Sequence, residues 1–229
     1  MTEASAFLGR VGVVVAARSG SSRLPGKVLR PLGGKPMILF LLDRIRDARE
    51  IDAIVLATTE QADDDPLAEL VAEAGFAVFR GAGDDVVKRY VDTAAAFRFD
   101  YVVRITGDCP FVDAASLDLC MREVRARAPF DIASTKGRFP VGIDYEIYNA
   151  KAMAVLHAGG ELSAEDREHL TLFMYRHRER FKLIDLEPPP EWRSNCSFTV
   201  DTLDDYCRAE AIVARTGCRA TVADVVNAA

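Results

Sequence analysis

The sequence predicts an α/β fold, a mostly parallel sheet with helices packed on both faces. Three observations carry this. Short β-branched apolar runs alternate with amphipathic stretches. The runs are continuously apolar, as strands buried on both faces must be. Their order, β-α-β-α-β-α-β-α, suits parallel pairing through right-handed helical crossovers.

The elements follow from residue pattern. Val11 to Ala17 (VGVVVAA) reads as the first buried strand. Pro36 to Ala48 follows as a helix, with Met37, Leu41, Ile45 and Ala48 at helical spacing and Pro36 at the start. Ile51 to Thr58 is a second buried strand. Asp65-Pro66 opens a helix through Ala74, with Asp65 as its N-cap, and Phe76 to Phe79 is a short strand. Asp84 to Phe97 carries Val87, Tyr90, Val91 and Ala94 on one face. Tyr101 to Thr106 is a strand and Asp113 to Ala128 a helix.

Beyond residue 130 the pattern loosens. Phe130 to Ala133 and Ile143 to Tyr148 read as strands joined by a Gly/Pro-containing link. Ala150 to Ala158 and Ser163 to Arg178 read as helices, the second opened by a Ser163/Asp166 capping box. Lys182 to Leu186 is a strand, the EPPPE stretch at 187–191 a stiff connector, and Asp204 to Ala214 a helix. Ser197 to Val200 is expected to rejoin the main sheet. The chain, 1–229, is thus expected to be a single domain, with 134–180 a small inserted lobe rather than an independent unit.

Composition narrows the function. The 229 residues carry 29 Lys+Arg against 35 Asp+Glu, a net charge of −6. That argues against nucleic acid or an anionic membrane as partner, since both require a basic face. The longest apolar run, Met37 to Leu42, is far below the ~18 residues of a membrane span. Residues 1–10 contain Glu3 and no long apolar stretch, so no signal peptide is expected. Cys109, Cys120, Cys196, Cys207 and Cys218 form an odd set without C-x-x-C, which suits a reduced, cytoplasmic chain.

Parallel α/β sheets bind ligands beyond the carboxyl ends of their strands, here after Ala17, Thr58, Phe79 and Thr106. The segment Ala16 to Lys27 lies at the first of these. It holds two Gly, three Ser, two Arg and one Lys, and no acid. Backbone N–H groups of such a turn, Ser19 and Gly20 among them, can converge on phosphate oxygens. Arg18, Arg23 and Lys27 can neutralise several negative charges, which makes a triphosphate the natural guest. The loop is neither a Walker A loop nor G-x-G-x-x-G. A solvated basic loop is the alternative.

A triphosphate brings a divalent cation, and Mg²⁺ favours one or two carboxylates completed by phosphate and water. Asp108 directly follows the strand ending at Thr106. Asp201, 93 positions later, closes the last apolar segment. Both at strand ends could share one metal. Alternatively Asp201 caps the following helix and Asp108 is a turn residue before Pro110.

The motif A-A-R-S-G-S-S-R-L-P-G-K-x-L-x-P-L-G-G-K-P at 16–36 resembles the opening of the cytidylyltransferase superfamily that activates sugar acids, in particular its spore coat polysaccharide biosynthesis protein F group. The resemblance continues through A-T-T (57–59), D-D-P-L-A (64–68), F-R-G (79–81), D-V-V-K-R-Y (85–90) and V-V-R-I-T-G-D-C-P (102–110). It returns at G-I-D-Y-E-I-Y (142–148), R-E-H-L-T (167–171) and F-T-V-D-T-L-D-D (198–205). It implies a three-layer α/β/α nucleotidyltransferase fold of GT-A-like type and Mg²⁺-dependent transfer of CMP from CTP, with pyrophosphate released. Arg18, Arg23 and Lys27 then become triphosphate ligands and, with Asp108, the catalytic residues, and Asp108 and Asp201 the metal ligands. Ala16, Ala17, Thr58, Arg80, Asp84 and Thr106 complete the nucleotide site. Homodimerisation through 134–180 is also implied.

The acceptor is expected to be small and anionic, a sugar acid or a small phosphonate. Asp144 and Glu146, two apart on an expected strand, share one face and suit acceptor hydroxyls or an amine. A solvated strand face is the alternative. The resemblance puts His169 near the acceptor, as an anion ligand or proton shuttle. His157 and His177 read as surface or packing residues, and Arg138 as either a surface residue or an acceptor contact. A glycosyltransferase using a nucleotide sugar would share the fold but calls for a D-x-D motif after a strand. A non-catalytic relative would have lost one of the five charged residues.

Overall fold

The structure, a computed structural model, describes residues 8–229; the expectation built on Glu3 lies outside them. In chain order the elements are β1 (Val11–Ala16), β2 (Pro31–Leu32), β3 (Lys35–Pro36), α1 (Met37–Ile45), β4 (Ala53–Thr59), α2 (Asp65–Glu73), β5 (Ala77–Gly81), α3 (Val86–Phe97), β6 (Tyr101–Thr106) and α4 (Ala114–Ala126). There follow β7 (Ile132–Ser134), β8 (Glu146–Asn149), α5 (Ala150–Ala158), α6 (Ala164–Glu168), α7 (Leu172–Arg176), β9 (Leu183–Asp185), α8 (Leu203–Thr216) and α9 (Val222–Asn227).

Seven strands form one sheet in the order β5-β4-β1-β6-β8-β7-β9; β2 and β3 pair separately. Strands β5, β4, β1 and β6 are mutually parallel, and β8 alone runs against its neighbours. The register matches the apolar pattern. Val13 and Val15 enter one core with α1, α4 and α8, while Val14 enters the other with α3 and α5. Burial on both faces explains why β1 has no alternating polar residues. Segment 132–185 does not stand apart: β7, β8 and β9 extend the main sheet.

Three expectations are corrected. Ser197 to Val200 forms no strand. Among the described residues it is held by two long-range main-chain bonds, Phe198 N–H to Val141 O at 2.7 Å and Val200 N–H to Asp108 O at 2.9 Å, while Phe198 and Val200 bury their side chains. The helix expected over 163–178 is split at His169 (φ −111°, ψ 80°). The break turns Leu170 and Thr171 into the core, where the Thr171 hydroxyl donates to Glu146. The strand expected from Ile143 begins only at Glu146, so Asp144 lies in the loop before it.

Helix ends are fixed by side chains. Asp113, Ser163, Thr202 and Thr221 each form reciprocal capping boxes, and Asp85 accepts the Lys88 N–H. Thr202, rather than Asp201, caps α8, which leaves Asp201 available for other contacts.

Candidate active site

Strands β1 and β6 are neighbours whose connections leave toward opposite edges of the sheet, so a crevice opens beyond their carboxyl ends. It holds a cavity of about 730 Å³, within the usual range for small-molecule sites.

One wall is the loop after β1. Gly26 adopts φ 66°, a conformation that favours glycine, and its N–H closes the loop on Ser19 O at 3.3 Å. The opposite anchor is Asp64, buried, which accepts the Ser19 N–H at 2.6 Å and the Thr59 hydroxyl. Burial pushes the Asp64 carboxyl up, but these hydrogen bonds outweigh it and hold it below its ordinary value. The sequence singled out Asp65 as the helix cap; Asp65 instead pairs with Arg80 at 2.5 Å and makes no cap bond.

The two loops meet at Gly107. Its N–H donates to Ala16 O at 2.8 Å, and a Cβ there would lie 2.7 Å from the Ala17 Cβ. This contact brings Asp108 against the basic loop. Lys27 Nζ lies 2.8 Å from Asp108 Oδ2 and 2.9 Å from Asp201 Oδ1, and Arg23 Nη2 lies 2.9 Å from the same Asp201 oxygen. Burial lowers the Lys27 pKa, yet the two carboxylates outweigh it and hold the ammonium above its ordinary value. Burial likewise raises Asp108, and Lys27 brings it back below the usual carboxylate range.

The donor set fits a divalent cation. Two carboxylates converge on a single positive atom, Lys27 Nζ, and both offer hard oxygen ligands. Among the described residues no group of three His, Cys, Asp or Glu could form a complete protein cage. A metal held here therefore needs oxygens from substrate and water, as Mg²⁺ accepts.

The opposite wall comes from the start of α3 and the end of α6. Ala16, Ala17, Arg18, Gly20, Arg23, Lys27, Asp84, Thr106, Asp108, His169 and Asp201 all face the cavity. Two further lining cations were not singled out from sequence. Arg89 is buried, donates to Ala82 O at 2.6 Å and leaves its Nε without a partner. Burial, with Arg18 nearby, lowers its pKa. Arg104 on β6 pairs with Glu146 at 2.9 Å. The signal for both was a charge inside an apolar face, in YVVRIT and in the α3 stripe.

Five expected site residues are not brought to the cavity. Thr58 is fully buried in β4. The Ser19 N–H is committed to Asp64. Arg80 is spent on Thr59 O, Gln61 O and Asp65. Asp144 accepts the Gly142 N–H at 2.7 Å, and burial raises its pKa. Glu146 is fully buried and saturated: it accepts from Arg104, from Thr171 at 2.7 Å and from Tyr175 at 3.3 Å, with Lys136 at 3.3 Å. Arg138 is engaged by Asp185 and Glu187. His157 lies 3.5 Å from Asp85, and His177 packs on Phe173.

Comparison with known proteins shows the family. The family model described as cytidylyltransferase matches residues 12–212. The spore coat polysaccharide biosynthesis protein SpsF of Bacillus subtilis is 35% identical over 217 residues, covering 91% of this chain and 88% of that protein. A 3-deoxy-manno-octulosonate cytidylyltransferase of Hydrogenovibrio crunogenus is 34% identical over 143 residues, 60% of this chain and 54% of its own length. The solved structure of a cytidylyltransferase from Leptospira borgpetersenii superposes with a TM-score of 0.88 at 29% identity, covering 95% of this chain and 92% of that one. No described helix is long and apolar enough to cross a membrane.

Proposed function

Since the chain belongs to the cytidylyltransferase family, we propose that it transfers CMP from CTP to a small anionic acceptor, a sugar acid, with release of pyrophosphate and dependence on Mg²⁺. The observation that carries this reading is the meeting of Lys27 and Arg23 with Asp108 and Asp201 at one point of the crevice.

An acceptor oxygen attacks the α-phosphorus in line, and the bond from that phosphorus to the pyrophosphate oxygen breaks. Little covalent chemistry is required of the protein, which positions the reactants and stabilises charge. Arg18, Arg23 and Lys27 engage the triphosphate and neutralise the departing pyrophosphate. Asp108 and Asp201 would hold the divalent cation, which would supply positive charge to the phosphate oxygens when bound. Arg89 brings positive charge to the opposite wall, beside His169, Asp84 and Glu168, and is the group there that favours an acceptor carrying its own negative charge; the Arg104 charge is met by Glu146. An acceptor oxygen that is already ionised, such as a carboxylate, needs no strong general base, whereas a sugar hydroxyl must pass its proton to a base or be acidified by the cation; no side chain is asked to act as covalent nucleophile.

Pyrophosphate release from CTP and Mg²⁺, measured across a panel of sugar acids, tests the reading. Asp108→Asn is expected to lower turnover roughly a hundredfold or more without unfolding the protein. A folded protein that neither binds CTP nor turns over any acceptor refutes the assignment.

A further inference from the structure

We propose that Lys27, assisted by Arg23, is an internal counter-ion that denies the two-aspartate site to a free divalent cation, so that metal and triphosphate bind as a coupled pair. The inference rests on the functional reading above and concerns how that site is loaded.

The ammonium lies between Asp108 Oδ2 and Asp201 Oδ1, and Arg23 takes the same Asp201 oxygen. Two positive groups thus face two negative ones, and the aspartates present no net charge to an approaching ion. Lys27 is not free to step aside. Its side chain is 11% exposed, and both of its side-chain hydrogen bonds go to the two aspartates. A metal ion arriving alone must expel this ammonium and leave a buried charge without a partner, which is costly.

A triphosphate removes that obstacle. Its oxygens can take Lys27 and Arg23, and both aspartates are then released for the metal. The exchange keeps every charge paired at each end. By linkage, whatever factor the nucleotide adds to metal affinity, the metal adds to nucleotide affinity. The two cations do not contribute equally. The Arg23 side chain is 65% exposed, so water screens its ion pair, and the coupling falls mainly on Lys27. Arg18, exposed and without an ion pair among the described residues, is left to meet the incoming phosphates first.

The test is Mn²⁺ binding to nucleotide-free protein, followed by the electron paramagnetic resonance signal of the free ion. Lys27→Met is expected to bind Mn²⁺ roughly tenfold or more tighter than the unaltered protein, a size typical of coupled sites. Arg23→Met is expected to produce a smaller gain. Adding Asp108→Asn to Lys27→Met should abolish the gain. Should Lys27→Met fail to fold, Lys27→Gln removes the charge while keeping a hydrogen-bonding group, and the same gain is expected. Equal Mn²⁺ affinity with and without the Lys27 charge overturns the proposal. If Asp108→Asn leaves Mn²⁺ binding untouched in both backgrounds, the ion sits elsewhere and the proposal falls with the metal-ligand assignment, whereas pyrophosphate release from CTP tests the functional reading separately.

Discussion

Replacing Glu146 by Leu tests whether this carboxylate works as a buried strut or as an acceptor ligand. Glu146 is fully buried and faces Arg104 at 2.9 Å, with the Thr171 and Tyr175 hydroxyls donating to its other oxygen. Removing one partner of a buried pair costs about 3–5 kcal/mol, because the survivor keeps its charge in a poor solvent. Here the lower end applies: the Arg104 side chain is one-fifth exposed and retains some water, and half-exposed Lys136 contributes little. A loss of about 3 kcal/mol corresponds to a fall in Tm of about 6–12 °C for a chain of this size. Thermal and urea unfolding followed by circular dichroism measure it. The double variant R104M/E146L removes both charges and is expected to recover most of the loss. The pH dependence has a definite sign. Burial raises the Glu146 carboxyl, but Arg104, Lys136 and Thr171 together hold it below the ordinary glutamate value. The stabilisation is therefore complete above the unfolded pKa and is lost as pH falls through the lower folded one. A Glu146→Leu protein that melts within about 2 °C of the unaltered one refutes the reasoning. A changed acceptor KM with unchanged stability would instead restore the ligand role that the sequence suggested.

Two other expectations follow from the anchors of the site. Asp64→Asn removes the charge that holds the Ser19 N–H, and about 2 kcal/mol of stability should go with it, since hydrogen bonds to charged groups contribute roughly 1.5–3 kcal/mol. The loop it holds is then freer, so the KM for CTP should rise; a KM equal to that of the unaltered protein removes Asp64 from loop positioning. Thr202→Ala breaks the capping box beside Asp201 and should cost about 1 kcal/mol in urea unfolding. Burial raises Asp205, yet Thr202, Arg208 and the Asp201 N–H outweigh it and bring its pKa down to about 2. The cap therefore stabilises above the ordinary aspartate pKa and fades as pH drops toward 2, so the cost of Thr202→Ala should shrink in acid. A cost that stays constant down to that pH would assign the effect to something other than the box.

How far the sequence is readable depends on what kind of force sets each feature. β6 matches its expected bounds and β1 ends one residue earlier, at Ala16, because a run buried on both faces needs no knowledge of its neighbours. The basic loop was legible for a similar reason: three cations in twelve residues, with no acid, form a local anomaly. Ser197 to Val200 misled because β-branched and aromatic residues signal burial as much as pairing, and here only the burial is realised. The split at His169 was hidden because it serves a partner on another strand, Glu146. In the run Asp63-Asp64-Asp65 the sequence favoured Asp65, because the selection of Asp64 depends on Ser19, 45 positions away. Arg89 and Arg104 look like interruptions of an apolar pattern until the cavity that they face is known.

The bond from Val200 N–H to Asp108 O is a single peptide contact, yet it ties Asp108 directly to the neighbour of Asp201. Asp201 arrives on an otherwise irregular segment, so nothing in the sheet ladder prealigns it. Closing a loop of that length is entropically slow relative to forming neighbouring strands. The first four parallel strands can assemble while the second carboxylate is still distant. The two aspartates thus become a pair only where the segment carrying Asp201 docks on the loop after β6.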